Sequence, residues 1–173
     1  MTGSKIIYAP WREEFLLTEQ REDGCIFCNR IATPEKDAEH FVLYRGDTAM
    51  VMLNLYPYTS AHLLVIPYRH IGEIEVLTDA ENLEIAQLMQ TSVRTLKSAM
   101  HPDGFTLGLN IGKASGAGVP GHLHWHVVGR WVGDSNFLPV IGESRLLSVR
   151  VEETYRRLAD AWAKNNGAST KCD

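Results

Sequence analysis

Residues 122–128 have the sequence His-Leu-His-Trp-His-Val-Val, and this alternation of polar and apolar residues predicts a β-strand. Successive side chains of a strand point to opposite faces, so the three histidines are expected on one face, and Leu123 and Trp125 on the other. Three imidazoles would then lie within reach of one another. Imidazole titrates near neutral pH, so such a row can supply a nucleophile, a proton donor and an orienting partner.

Other interpretations of these histidines stay open from the residues alone. A His-x-His pair on a strand can also bind zinc, although this segment has no Asp or Glu and the nearest soft ligands are Cys25 and Cys28. The pair Cys25 and Cys28 is either half of a metal site or a redox pair. With Cys172 the chain has three cysteines, an odd number that argues against a disulfide framework.

A glycine-rich segment leads directly into the histidines. Residues 110–121 contain four glycines, at positions 112, 116, 118 and 121. Glycine allows backbone N–H groups to approach phosphate oxygens closely. The segment lacks the Gly-Lys-Ser/Thr of a P-loop and the spacing of a dinucleotide-binding turn, so by itself it fits either a phosphate cradle or a hairpin turn.

The remaining periodicity predicts an α+β fold with a largely antiparallel sheet. A long helix is expected to begin at Thr78, because Glu81 completes a capping box, and to end before His101. A second, amphipathic helix is expected from Val151 to Trp162. The predicted strands are 41–45, 49–53, 62–67, 105–111 and 122–130.

A chain of 173 residues, of which 45% are hydrophobic and 22% charged, is expected to form one domain. We assign it to residues 21–164, after an N-terminal arm, 1–20, and before a disordered tail, 165–173. The arm contains Trp11 and Phe15, which are expected to cover a surface on this domain or on a partner subunit.

Charge and hydropathy limit the partners. The formal net charge is -4, the pI is near 6.0 and no block of like charges occurs, so no long nucleic acid is expected and any nucleotide partner should be small. No signal peptide is recognisable, and no apolar run reaches the roughly 18 residues that a membrane span needs. We therefore expect a cytoplasmic protein without membrane contact.

The run at 122–128 resembles the signature of the histidine-triad (HIT) superfamily, His-x-His-x-His followed by two apolar residues. The similarity continues through 53–58, 62–67, Asn110 with the glycine loop, and 131–137, and covers roughly Cys25 to Trp162. Within the superfamily the chain resembles the fragile-histidine-triad branch, in particular bacterial diadenosine tetraphosphate phosphorylase-like proteins.

This resemblance implies a five-stranded antiparallel sheet with two main helices, in a homodimer. It also implies an enzyme that cleaves a dinucleoside polyphosphate, such as diadenosine tetraphosphate, at the α-phosphate. The middle histidine, His124, would form a covalent nucleotidyl-histidine, which water or phosphate resolves; His126 would contact the phosphate and leaving group, with His62 joining the network. The alternatives are a nucleoside phosphoramidate hydrolase and a nucleotide-binding protein with little turnover.

The resemblance further implies binding residues. Asn54 would face the ribose, Leu53 the adenine, and Asn110 and the loop at Gly118 the phosphate. Relatives with a Cys-x-x-Cys near the start imply a structural zinc held by four side chains, which are here Cys25, Cys28, His70 and His122.

The sequence departs from the family pattern at three places. Gly129 stands where relatives usually have proline and is expected to loosen the exit of the strand, and Ala61 replaces a common glycine. Residues 118–121, Gly-Val-Pro-Gly, replace the Gln-Ser/Thr-Val of many relatives. The loop is therefore expected to rely on backbone N–H groups, of which Pro120 has none.

Overall fold

The structure is a computed structural model that describes residues 23–134 and 149–166. The predicted arm, 1–20, lies outside the described residues, as does residue 167 onward. The last helix continues to Asn166, so its final two residues fall within the segment predicted to be a tail.

A five-stranded antiparallel sheet forms the centre of the fold, as predicted, with strand order β1-β2-β3-β5-β4. Two long helices were predicted and are present, and the described residues contain a third, short one. The strands are β1 (Val42–Arg45), β2 (Ala49–Leu53), β3 (His62–Pro67), β4 (Gly104–Leu109) and β5 (Trp125–Arg130). The helices are α1 (Ile26–Ala32), α2 (Asp79–Met100) and α3 (Val151–Asn166).

The local sequence explains where these elements begin and end. α2 starts with the predicted capping box, in which the side chains of Thr78 and Glu81 each bond the other's backbone N–H. It stops at His101, which has a left-handed backbone with φ of 50°. Every residue of β3 is buried, in keeping with its continuous apolar run. No helix among the described residues has the length and apolar character needed to cross a bilayer.

The sheet has two covered faces with different roles. α2 and α3 pack on one face and close the larger core, whose buried members are Ala49, Val51, Leu53, Ala61, Leu63, Val65, Ile85, Leu88, Leu96, Val127, Leu158 and Trp162. α1 packs on the other face with a smaller cluster of Phe27, Val42, Met50, Met52, Leu64 and Ile66. Because side chains alternate along β3, His62 shares the α1 face with Leu64.

The prediction that the last strand begins at His122 was wrong, since β5 starts at Trp125. The backbone N–H of Leu123 donates to the Ile71 carbonyl oxygen at 2.7 Å, and that of His122 to the Val119 carbonyl oxygen at 3.3 Å. The first bond draws the chain toward the loop after β3, and the second closes a turn, so neither residue takes part in ladder pairing.

Glycine in place of proline at position 129 was expected to loosen the exit of β5. The strand is instead well paired there. Gly129 pairs with Phe105 of β4, its N–H donates to the Ala61 carbonyl oxygen at 2.8 Å, and its own carbonyl accepts from Thr59 Oγ1. A Cβ at position 129 would lie 3.1 Å from the Cβ of Ala61 and 3.3 Å from that of Pro102. The side chain at position 61 therefore limits what position 129 can hold.

We predict that the substitutions Gly129→Ala and Ala61→Gly are energetically coupled. Alanine in a strand normally gains about 0.5–1 kcal/mol over glycine, but the contact with the Ala61 methyl should cancel that gain. In the Ala61→Gly background part of the gain should return, because only the contact with Pro102 remains, and the effect of Gly129→Ala should become more favourable by up to roughly 0.5 kcal/mol. Urea unfolding of the four proteins measures the coupling, and equal effects in both backgrounds would contradict it.

Candidate functional site

Three histidines meet on the α1 face of the sheet. The ring centroids of His124 and His126 are 5.1 Å apart, and those of His62 and His126 are 5.0 Å apart. The pairing of β3 with β5 places Leu64 opposite His126, so His62 is the diagonal neighbour of His126 on the same face. The predicted catalytic residues are thus brought together.

A chain of hydrogen bonds sets the tautomers of His62 and His126. The backbone N–H of Tyr58 donates to Nδ1 of His62 at 3.1 Å, so the proton of the neutral ring sits on Nε2. That Nε2–H donates to Nδ1 of His126 at 2.8 Å. The proton of His126 is then on its own Nε2, a buried nitrogen for which the described residues supply no hydrogen-bond partner. His126 therefore has one N–H group available to a ligand.

His124 is held in the opposite tautomer. Its Nδ1–H donates to the carbonyl oxygen of His122 at 2.8 Å, which leaves the lone pair on Nε2. The ring of Phe27 packs against it, with centroids 4.9 Å apart. His124 is 5% exposed, so its ring is fixed in direction and shielded from most solvent.

Burial favours the neutral forms of His124 and His126. Desolvation lowers the pKa of His124, although the bond to the His122 carbonyl opposes this shift. Desolvation, with a smaller contribution from the neighbouring His124, lowers the pKa of His126 to about 4. A neutral imidazole has the lone pair that a nucleophile needs, so the environment favours the reactive form at physiological pH.

The residues that were predicted to bind the nucleotide lie in different surroundings. Asn54 Oδ1 accepts from the backbone N–H of Tyr56 at 2.9 Å and its Nδ2 lies 3.3 Å from Nδ1 of His62, so the side chain orders the loop that precedes β3. Leu53 is 3% exposed and belongs to the core on the helix-covered face. Asn110 follows β4, and Gly118 lies in the loop with open space around its Cα.

Four side chains converge beside the histidine cluster as a candidate metal centre. Their ligand atoms all lie within 4.8 Å of one another, and they are Cys25, Cys28, His70 and His122. Nδ1 of His122 is 3.4 Å from Sγ of Cys25 and 3.6 Å from Sγ of Cys28. Nδ1 of His70 is 3.2 Å from Sγ of Cys28. Two thiols and two imidazoles form the donor set that a tetrahedral zinc site uses.

His122 has the tautomer that this site requires. Its Nε2–H donates to the carbonyl oxygen of Pro67 at 2.9 Å, so the lone pair is on Nδ1, toward the two thiols. Zinc at the triad itself, the rival hypothesis, is not supported, because His124 and His126 are not members of the cluster that the described residues form.

Two arginines fix the segments that carry these ligands. Arg45 binds Asp37 and donates to the carbonyl oxygens of Arg30 and Ile31 at the end of α1. Arg69, next to His70, makes a two-point ion pair with Glu81 at the start of α2. The Arg69 guanidinium is the main cause that lowers the pKa of Glu81 to about 2.

Three contributors to the site were missed by sequence reasoning. Phe27 packs on His122 and His124, and only its position between the two cysteines could have suggested this. The Tyr58 N–H and the Pro67 carbonyl are backbone groups, and no side-chain pattern reveals which partner a backbone group will meet.

Comparison with known proteins identifies relatives of the chain. An "AP-4-A phosphorylase" of Mycobacterium tuberculosis is 44% identical over 128 residues, which cover 74% of this chain but only 66% of that protein. An uncharacterised HIT-like protein of Saccharolobus solfataricus is 30% identical and covers 70% of this chain and 87% of its own length. The crystal structure of a zinc-bound histidine-triad family protein from Mycobacterium smegmatis matches with a TM-score of 0.68 and 28% identity, over 83% of this chain and 96% of that one. Residues 35–132 match the HIT domain family, and the chain belongs to it.

Proposed function

We propose that this chain cleaves a dinucleoside polyphosphate, such as diadenosine tetraphosphate, at its α-phosphate through a covalent nucleotidyl-His124. The orientation of His124 carries the proposal: Nδ1–H is bonded to a carbonyl, and the lone pair on Nε2 is directed by that bond. The Mycobacterium tuberculosis relative, by its name, acts on such a dinucleotide, and this adds support.

In the first step Nε2 of His124 attacks the α-phosphorus, and the bond from phosphorus to the leaving nucleotide's oxygen breaks. The leaving nucleotide takes that electron pair and departs as a polyphosphate anion. His124 gains positive charge, and its Nδ1–H bond to the His122 carbonyl stabilises this charge. In the second step phosphate or water attacks the same phosphorus and releases His124.

His126 and His62 support both steps. The available Nε2–H of His126 would donate to a phosphoryl oxygen or to the bridging oxygen of the leaving group, where negative charge develops. His62 orients His126 through the bond from its Nε2–H to Nδ1. We further propose contacts of Asn54 with the ribose and of Asn110 and the Gly118 backbone with phosphate. The expected contact of Leu53 with the adenine has no support in the fold, because that side chain is 3% exposed and packs in the core on the opposite face.

We propose a structural zinc at Cys25, Cys28, His70 and His122. The convergence of the four ligand atoms and the fixed tautomer of His122 support it, and so does the zinc-bound Mycobacterium smegmatis neighbour. The metal would tie α1 to the loop after β3 and to the segment that leads into β5, would supply folding free energy, and takes no part in the steps above. We also propose a reducing, cytoplasmic location, because cysteines that bind zinc must stay out of disulfides.

We propose that the protein acts as a homodimer on small nucleotides. The edge strand β4 and the side of α2 form an apolar groove of about 440 Å³, lined among others by Met89, Val93 and Leu107. Leu107 is 47% exposed, and a sheet edge with exposed apolar side chains favours pairing with a second copy. The net charge of -4 offers no support for long nucleic acid as a substrate.

The function is tested by incubating the purified protein with diadenosine tetraphosphate, with and without inorganic phosphate. We expect ADP plus ATP in the presence of phosphate; AMP plus ATP without phosphate would instead identify water as the acceptor. His124→Asn should abolish both and retain nucleotide binding. The matched control is His101→Asn at the exposed end of α2, where asparagine also tolerates the left-handed backbone, and it should keep full activity.

Absence of product from the wild-type protein would contradict the dinucleotide proposal. Cleavage of a nucleoside phosphoramidate under the same conditions would favour that hydrolase activity, and tight nucleotide binding without turnover would favour a binding protein.

The pH dependence follows from the lowered pKa of His126. Because burial disfavours its charged form, His126 should stay neutral down to about pH 5 and become protonated only near pH 4. Imidazole resonances recorded by NMR between pH 8 and pH 4 should show this titration well below that of free histidine. A midpoint above pH 6.5 would contradict the buried, neutral His126 on which the mechanism relies.

For the metal, we expect one zinc per chain by elemental analysis. Zinc at a thousandfold excess over its dissociation constant would stabilise the fold by about 4 kcal/mol, so EDTA or Cys28→Ser should lower the unfolding temperature. Cys172→Ser, which alters a thiol outside the cluster, is the control and should retain zinc. Full zinc content in Cys28→Ser would contradict the site.

A further inference from the structure

Tyr58 touches both His62 and His126, the two histidines that a hydrogen bond links beside His124. It lies in the loop between β2 and β3, and its backbone N–H donates to Nδ1 of His62. Its ring lies 4.7 Å from the ring of His62 at 44°, and 5.8 Å from that of His126 at 25°, a stacked arrangement. The side chain is nevertheless 44% exposed, so the core does not account for its position.

Hydrogen bonds alone hold the plane of the His126 ring only weakly. Within the described part of the chain, Nδ1 has a hydrogen bond from His62, whereas Nε2 has no partner. The torsion that turns an imidazole about its Cβ–Cγ bond has broad minima, so a single hydrogen bond restrains the ring plane weakly. His124 meets His126 edge-on, at 69°, and Tyr58 covers a face of the ring.

We propose that Tyr58 is a positioning residue, whose ring holds the His126 imidazole in the plane that directs Nε2–H toward the phosphoryl group at His124. The proposal rests on the proposed function and deepens it. Two parts of one residue then act on two histidines: the backbone N–H selects the tautomer of His62, and the ring fixes the plane of His126. Substitution of the side chain separates these actions, because the backbone N–H remains.

The ring, and not the hydroxyl, carries this role, so Tyr58→Phe should retain wild-type kcat. Tyr58→Leu should lower kcat by about 10- to 100-fold, since displacements on the order of 1 Å can cost that much. KM should change by less than about threefold, because the ring is proposed to act in the chemical step. The matched control is Tyr56→Leu, a tyrosine of the same loop that is 51% exposed, and it should stay within about twofold of wild type.

A double-mutant cycle tests whether Tyr58 acts through His126. Once His126→Asn has removed the imidazole, Tyr58→Leu should lower the remaining kcat by less than about twofold. The same fold loss in both backgrounds would overturn the proposal. So would a rise in KM without a fall in kcat, which would indicate that the tyrosine stacks on a substrate base, or an equal loss in Tyr56→Leu, which would indicate an effect of the whole loop.

A spectroscopic readout separates failure of this proposal from failure of the proposed function. Nitrogen-15 NMR at pH 8 should show wild-type His126 protonated on Nε2, as the hydrogen-bond chain requires. Tyr58→Phe should give the same spectrum. Tyr58→Leu keeps the backbone N–H and therefore the tautomers, but nitrogen-15 relaxation should show a more mobile His126 ring. If the wild-type protein cleaves no dinucleotide, this comparison still decides whether Tyr58 positions His126, and an unchanged mobility of the His126 ring in Tyr58→Leu would overturn it.

Discussion

The antiparallel pairing of β3 with β5 is the constraint on which the site depends. It places Leu64 opposite His126 and His62 opposite Val128, so the two histidines are diagonal neighbours on one face. Because side chains alternate, a slip of one residue would turn the histidines of one strand toward the face covered by α2 and α3. The large core on that face, which includes Leu63, holds the register against such a slip. Packing on one face therefore fixes chemistry on the other.

His122 joins the two parts of the site. Its Nδ1 faces the thiols of the candidate metal centre, its Nε2–H bonds the Pro67 carbonyl, and its own carbonyl accepts from Nδ1 of His124. Phe27, which lies between the two cysteines in sequence, packs against both His122 and His124. The segment that a metal would stabilise is thus the segment that orients His124, although the metal itself takes no part in the proposed chemistry.

Departures from the family pattern are partly compensated within the fold. Relatives usually have the larger residue, proline, at position 129 and the smaller one, glycine, at position 61. This chain has the smaller residue at 129 and the larger, alanine, at 61, and the two positions are in contact. The Gly129 N–H, which a proline would lack, bonds the Ala61 carbonyl and keeps β5 attached to the loop before β3. Such compensation depends on contacts between residues 68 positions apart, so Gly129 considered alone in the sequence suggested a looser strand than the fold contains.

The sequence by itself determined most of the strands and helices and the kinds of side chain at the site. Strands β1, β2 and β3, the capping box at Thr78 and the row of three histidines follow from local periodicity and capping, which neighbouring residues dictate. Only the tertiary structure decided the start of β5, where Leu123 bonds Ile71, and the tautomers of His62, His122, His124 and His126. A tautomer depends on which backbone N–H or carbonyl lies beside each ring nitrogen. Pro67 lies 55 residues from His122, whereas Tyr58 lies only four residues from His62. Near or distant, backbone groups have the same chemistry in every residue apart from the N–H that proline lacks, so no sequence pattern could have shown which of them meets a given ring nitrogen.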